Sequence, residues 1–80
     1  MSDRFPRDAP LERVLRTLAS LGFAVVREGN HLALARRSAD GTLTPMTLPN
    51  HRTIKGPTLR AVLRQSGIDR DAFLAAYTRD

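Results

Sequence analysis

Two histidines, His31 and His51, and a scatter of arginines are the side chains here with chemistry to offer. Histidine gives or takes a proton near neutral pH without special tuning. The first lies in Arg27-Glu28-Gly29-Asn30-His31-Leu32-Ala33-Leu34. Gly29-Asn30 stands between two alternating apolar runs, the pattern of a hairpin with a two-residue type II′ turn. Such a turn leaves His31 at the mouth of a sheet, anchored by backbone hydrogen bonds yet near solvent. The second histidine lies in a basic loop, Pro49-Asn50-His51-Arg52-Thr53-Ile54-Lys55. The pair makes poor material for a metal centre: the two are 20 residues apart, neither has an acidic neighbour, and the chain has no cysteine. No cofactor motif is present, neither a nucleotide-binding glycine loop nor a Ser-His-Asp arrangement.

Charge narrows the partner. Thirteen basic residues against eight acidic give +5, with an isoelectric point near 11.3, and that excess favours a polyanion, most commonly RNA or DNA. Lack of cysteine excludes a disulfide framework. The apolar runs are too short to span a membrane, and Met1-Ser2-Asp3-Arg4-Phe5-Pro6 has neither the charged nor the apolar region of a signal peptide. The expected location is the cytoplasm.

Eighty residues make a single domain, 1–80. Residues 1–8 read as a loose, flexible arm, with Asp8 as N-cap and Pro10 in the first turn of a helix. Leu11, Val14, Leu15, Leu18 and Leu21 recur at helical spacing and Gly22 stops the helix, while Arg13 and Arg16 project from its other side. Phe23 to Arg27 is a first strand, and His31 to Arg37 a second. Alternation turns Leu32 and Leu34 to one face and His31, Ala33 and Ala35 to the other. A turn at Ser38-Ala39-Asp40-Gly41 leads to a third strand, Thr42 to Leu48, in which Pro45 argues for a sheet edge. Gly56-Pro57-Thr58 opens a second helix with Leu59, Val62 and Leu63 as its apolar stripe and Gly67 as its stop. Asp69 caps a short last helix whose Phe73 and Tyr77 dock on the core. The fold class is α+β in the order α-β-β-β-α-α, a three-stranded antiparallel sheet covered by helices on one face.

Four segments in this order and spacing resemble the HicA toxins of HicA–HicB toxin–antitoxin pairs. They are Gly22-Phe23, Gly29-Asn30-His31, Leu48-Pro49-Asn50-His51, and Thr58-Leu59-Arg60-Ala61-Val62-Leu63-Arg64-Gln65-Ser66-Gly67. The likeness runs over roughly residues 11–74. It implies a double-stranded-RNA-binding-domain-like fold, and mRNA cleavage by a histidine at the position of His31. It also implies a HicB-like antitoxin that binds the toxin and covers that histidine. Asn30 stands where relatives carry serine, so a hydroxyl contact to RNA, if relatives make one, is altered here.

Metal-free RNA cleavage needs a group to take the ribose 2′-OH proton and cations to stabilise charge on the phosphate. His31 is the candidate general base or acid, and His51 a candidate second proton-transfer group or phosphate ligand. Arg27, Asn30, Arg36, Arg37, Lys55, Arg60 and Arg64 are the candidate RNA contacts. Bland roles compete with each: a histidine at a strand start also serves as a structural hydrogen-bonding residue, and Arg60 and Arg64 also fit the solvated side of a helix. Two other functions stay open, a non-catalytic RNA-binding module of the same fold and an inactive homologue that still binds an antitoxin.

Overall fold

The computed structural model of the chain describes residues 5–79. Its elements are β1 (Asp8–Pro10), α1 (Leu11–Ser20), β2 (Phe23–Glu28), β3 (His31–Arg37), β4 (Leu43–Pro49), β5 (Thr53–Lys55), α2 (Gly56–Gln65) and α3 (Arg70–Arg79). The main sheet is antiparallel with the order β2-β3-β4, and β1 pairs with β5 in a separate two-stranded ribbon. The expected α+β order is present, with the ribbon added.

Strand β3 is the middle strand, and its residues alternate. Leu32 and Leu34 are buried beside Met46 and Leu48 of β4, their register partners, and these four join Val14, Leu18, Leu59, Val62, Leu63 and Phe73 in one core. The opposite face of the sheet carries no helix. There Ala33 and Ala35 are only half-buried, and His31 and Arg37 are exposed. The β3–β4 register runs unbroken from His31↔Pro49 to Arg37↔Leu43. Pro45 lies in β4, an edge strand, where its missing N–H leaves no gap in a ladder. At the β3–β4 turn Thr42 donates to the Asp40 carboxylate from its backbone N–H at 3.0 Å and its hydroxyl at 2.7 Å. Those bonds favour the ionised carboxylate and hold its pKa below the ordinary 3.8.

The helices stop where glycine allows it. Gly22 at φ 97° ends α1, and the Leu21 N–H still reaches back to the Thr17 and Leu18 carbonyls. Asp69 caps α3 as expected, its carboxylate accepting from the Ala72 N–H at 3.0 Å. Among the described residues no helix is long and apolar enough to cross a membrane.

The beginning of the chain departs from expectation. Residues 1–4 lie outside the described part, but Phe5 to Asp8, although partly exposed, are tied to the body of the fold. The Phe5 ring sits 6.4 Å from that of Phe73, and the Gly56 N–H donates to the Arg7 carbonyl at 2.7 Å. Asp8 is not an N-cap. Its backbone pairs with Lys55 across the ribbon, and its carboxylate lies 3.5 Å from the Lys55 ammonium. Helix α1 has Pro10 at its N-cap with no side-chain cap, and the Leu11 N–H donates to the Arg52 carbonyl at 2.8 Å. Arg13 does not simply project into solvent. Its guanidinium covers the Tyr77 ring at 3.9 Å and donates to the Tyr77 carbonyl at 2.8 Å, tying α1 to α3.

Candidate active site at the end of the sheet

His31 is the first residue of β3 and pairs with Pro49 at the last residue of β4. It is exposed, on the helix-free face. The turn before it is not the expected type II′: neither Gly29 nor Asn30 takes a left-handed φ, and among the described residues Gly22, Gly41 and Gly67 are those that do. The cause lies four residues back. The β2–β3 register slips between Val25 and Arg27, with Val26 bulging out, and the last pair is Glu28↔Leu32. The slip puts Gly29, Asn30 and His31 together in a three-residue connection. A wider loop needs no mirror-image turn.

Asn50 holds that loop in place. Its side-chain Nδ2 donates to the Gly29 carbonyl at 2.8 Å, and its backbone N–H donates to the Asn30 carbonyl at 3.2 Å. The sheet thereby draws together segments that are distant in sequence. His51 follows Pro49 by two residues, so the Cα atoms of the two histidines are no more than about 13 Å apart. Arg27 pairs with Ala33 on the same face as His31, which makes it a diagonal neighbour at about 7–8 Å. Arg27, Asn30, His31 and His51 are thus gathered at one end, all exposed.

The remaining candidates lie elsewhere. Arg37 shares the face of His31 but sits six residues along β3, about 20 Å away. Arg36 turns to the core face, where its guanidinium covers the Phe23 ring at 4.8 Å and donates to the Leu21 carbonyl at 3.5 Å. Lys55 pairs with Asp8 across the ribbon. Arg60 and Arg64 line a depression on the helix layer beside Phe5 and Arg70, with Arg60 5.3 Å from the Phe5 ring. They are not part of the His31 end.

Asn50 and Arg52 escape the sequence pattern. A Pro-Asn pair signals a turn, yet only the β3–β4 register shows which carbonyls its amide meets. Beside Asn50 opens a hollow of about 490 Å³ between the start of α1 and the β4–β5 loop. Among the described residues no three His, Asp or Glu side chains cluster as metal ligands. Chemically, the end of the sheet offers two exposed imidazoles, one arginine beside them, and a backbone turn fixed by an amide.

Comparison with known proteins gives the chain a family. A family model described as the HicA toxin of bacterial toxin–antitoxin systems matches residues 12–68. The match spans more than half of the 80 residues and runs through both histidines. No curated protein and no solved structure matches the chain. On a match of that extent, over a chain with an α-β-β-β-α core, the chain belongs to the HicA family of toxins from bacterial toxin–antitoxin systems.

Proposed function

We propose that the chain is an endoribonuclease of the cytoplasm that cuts mRNA without a metal, and that a HicB-like antitoxin restrains it by covering His31. The observation that carries this reading is the exposure of His31 on a backbone fixed from two sides, by β4 pairing and by Asn50. A proton-transfer group has to be reachable and held still. In the proposed step a ribose 2′-OH loses its proton and its oxygen attacks the adjacent phosphorus. The bond to the 5′ oxygen breaks, and that oxygen takes up a proton. The products are a 2′,3′-cyclic phosphate and a 5′-hydroxyl. His31 serves one of the two proton transfers and His51, from the same end of the sheet, is the candidate for the other. Arg27, diagonal to His31 on the same face, is the cation proposed for the charge that builds on the phosphate. Lys55, Arg37, Arg60 and Arg64 lie farther out, where they suit the flanking strand. Arg36, with its guanidinium on Phe23, is the least accessible of the proposed contacts.

The test compares wild type with His31→Ala under tight induction, following growth and transcript integrity together. An exposed strand-start substitution shifts stability by no more than about 0.5 kcal/mol, which thermal melting checks. The expected result is growth arrest with fragmented mRNA in the wild type and neither in the folded variant. Equal arrest by both proteins would replace this reading with toxic RNA binding. No effect from either would leave an inactive, antitoxin-binding homologue.

A further inference from the structure

The hollow beside Asn50 is large enough to admit a nucleotide. At about 490 Å³ it lies within the range of small-ligand pockets, roughly 300–1,000 Å³. Pro10 and Leu11 give it an apolar surface on which a base can lie, and Glu12, Arg13 and Arg52 bring charge of both signs. Arg13 is anchored on Tyr77 and forms a fixed wall. Asn50 belongs to the lining and also grips the carbonyls of Gly29 and Asn30. His51 stands between two lining residues, Asn50 and Arg52. The hollow therefore adjoins the His31 end rather than forming a separate surface.

Resting on the nuclease reading of His31, we infer that this hollow holds one nucleotide of the RNA next to the scissile phosphate, with guanine as the preferred base. Two groups select it. The Arg52 guanidinium is a donor fork that matches the O6 and N7 acceptors of guanine. The Glu12 carboxylate is an acceptor pair, and the other edge of guanine offers the N1–H and the N2 amino group as donors. Uracil offers a single N–H, and adenine has an acceptor at N1 where guanine has a donor. A filled hollow bears on Asn50, so that recognition of the flanking nucleotide and the posture of the His31 turn share one side chain.

The experiment uses the full chain carrying His31→Ala, so that it can be produced in quantity, and follows backbone amides by NMR. Guanosine, adenosine, cytidine and uridine monophosphates are added in turn, with inorganic phosphate as control. Guanosine monophosphate is expected to move the amides of Leu11 to Arg13 and Asn50 to Arg52, with the other three at least fivefold weaker. Arg52→Ala should weaken binding tenfold or more, and Glu12→Gln should level the four bases while melting like the parent. Shifts confined to α2, or a response to phosphate equal to that of every nucleotide, would overturn the site. Equal binding of all four nucleotides by the His31→Ala chain would overturn the guanine preference. Transcript mapping separates this inference from the nuclease reading. If the wild type cuts mRNA and Arg52→Ala cuts the same positions as fast, the hollow is not the subsite and the nuclease reading survives. If guanosine monophosphate fills the hollow and the wild type cuts nothing, the nucleotide site survives and the nuclease reading fails.

Discussion

Asn50 reaches the carbonyls of Gly29 and Asn30 with its side chain and its backbone N–H, so the posture of His31 is set from the next strand. Asn50→Ala removes the side-chain bond at a cost of about 1 kcal/mol, read by chemical denaturation. Under the nuclease reading it lowers the rate of cleavage about tenfold while leaving RNA affinity near wild type. Asn50→Asp should be worse than alanine at similar stability cost or more, because it turns a carboxylate oxygen toward the Gly29 carbonyl. Cleavage by Asn50→Ala at the wild-type rate would mean that strand pairing alone is enough. At this scale the sequence is uneven. His31 stands out through the resemblance of Gly29-Asn30-His31 to the HicA motif, since a histidine at a strand start alone also fits a structural role. Asn50 does not, since no periodicity tells which carbonyl an amide will meet across a sheet. The place of Arg36 is legible: carrying the Leu32, Leu34 alternation one step further turns it to the core face, beside Phe23.

The helices and the main strands follow from apolar spacing, and their glycine stops fell where expected. The ribbon of β1 and β5 did not, because three residues are too few to show an alternation. Pro10 and Asp8 have the pattern of helix-start signals but belong to its first strand. The ribbon explains Gly56, which opens α2 beneath the crossing N-terminal segment. A Cβ there would lie 2.7 Å from the Pro6 carbonyl oxygen and 3.3 Å from that of Arg7, both backbone atoms that cannot swing aside. Gly56→Ala gains at most about 1 kcal/mol of helix propensity and loses more to the clash, for a net loss of about 2 kcal/mol. In a chain of this size that lowers Tm by roughly 10 °C, and an unchanged melting curve would show that the segment can step back freely. Arg13 joins elements in another way, through the ring and carbonyl of Tyr77. Arg13→Ala should cost about 1–3 kcal/mol. Arg13→Lys should recover only part of it in the same melts, because an ammonium lacks the flat fork that stacks and donates together.

For the whole molecule, the net charge of +5 was plain in the composition, but its division was not. Arg27, His31 and His51 share one end of the sheet, whereas Arg60, Arg64 and Arg70 surround Phe5 on the helix side. Segments on either side of the family match, Phe5 to Pro10 and α3, meet through the rings of Phe5 and Phe73. The three strands are also unequal partners. Strand β2 buries only Phe23, with Ala24 to Glu28 all exposed, and its register is broken where that of β3 and β4 is continuous. His31 takes its strand partner from β4. Sequence freedom should be distributed accordingly. A library randomised over residues 24–28 should return mostly folded chains, and one over residues 44–48, which contain Met46 and Leu48, should return few. Apart from Arg27, which the nuclease reading assigns to the phosphate, strand β2 is then the stretch that tolerates change most readily without disturbing the histidine it borders.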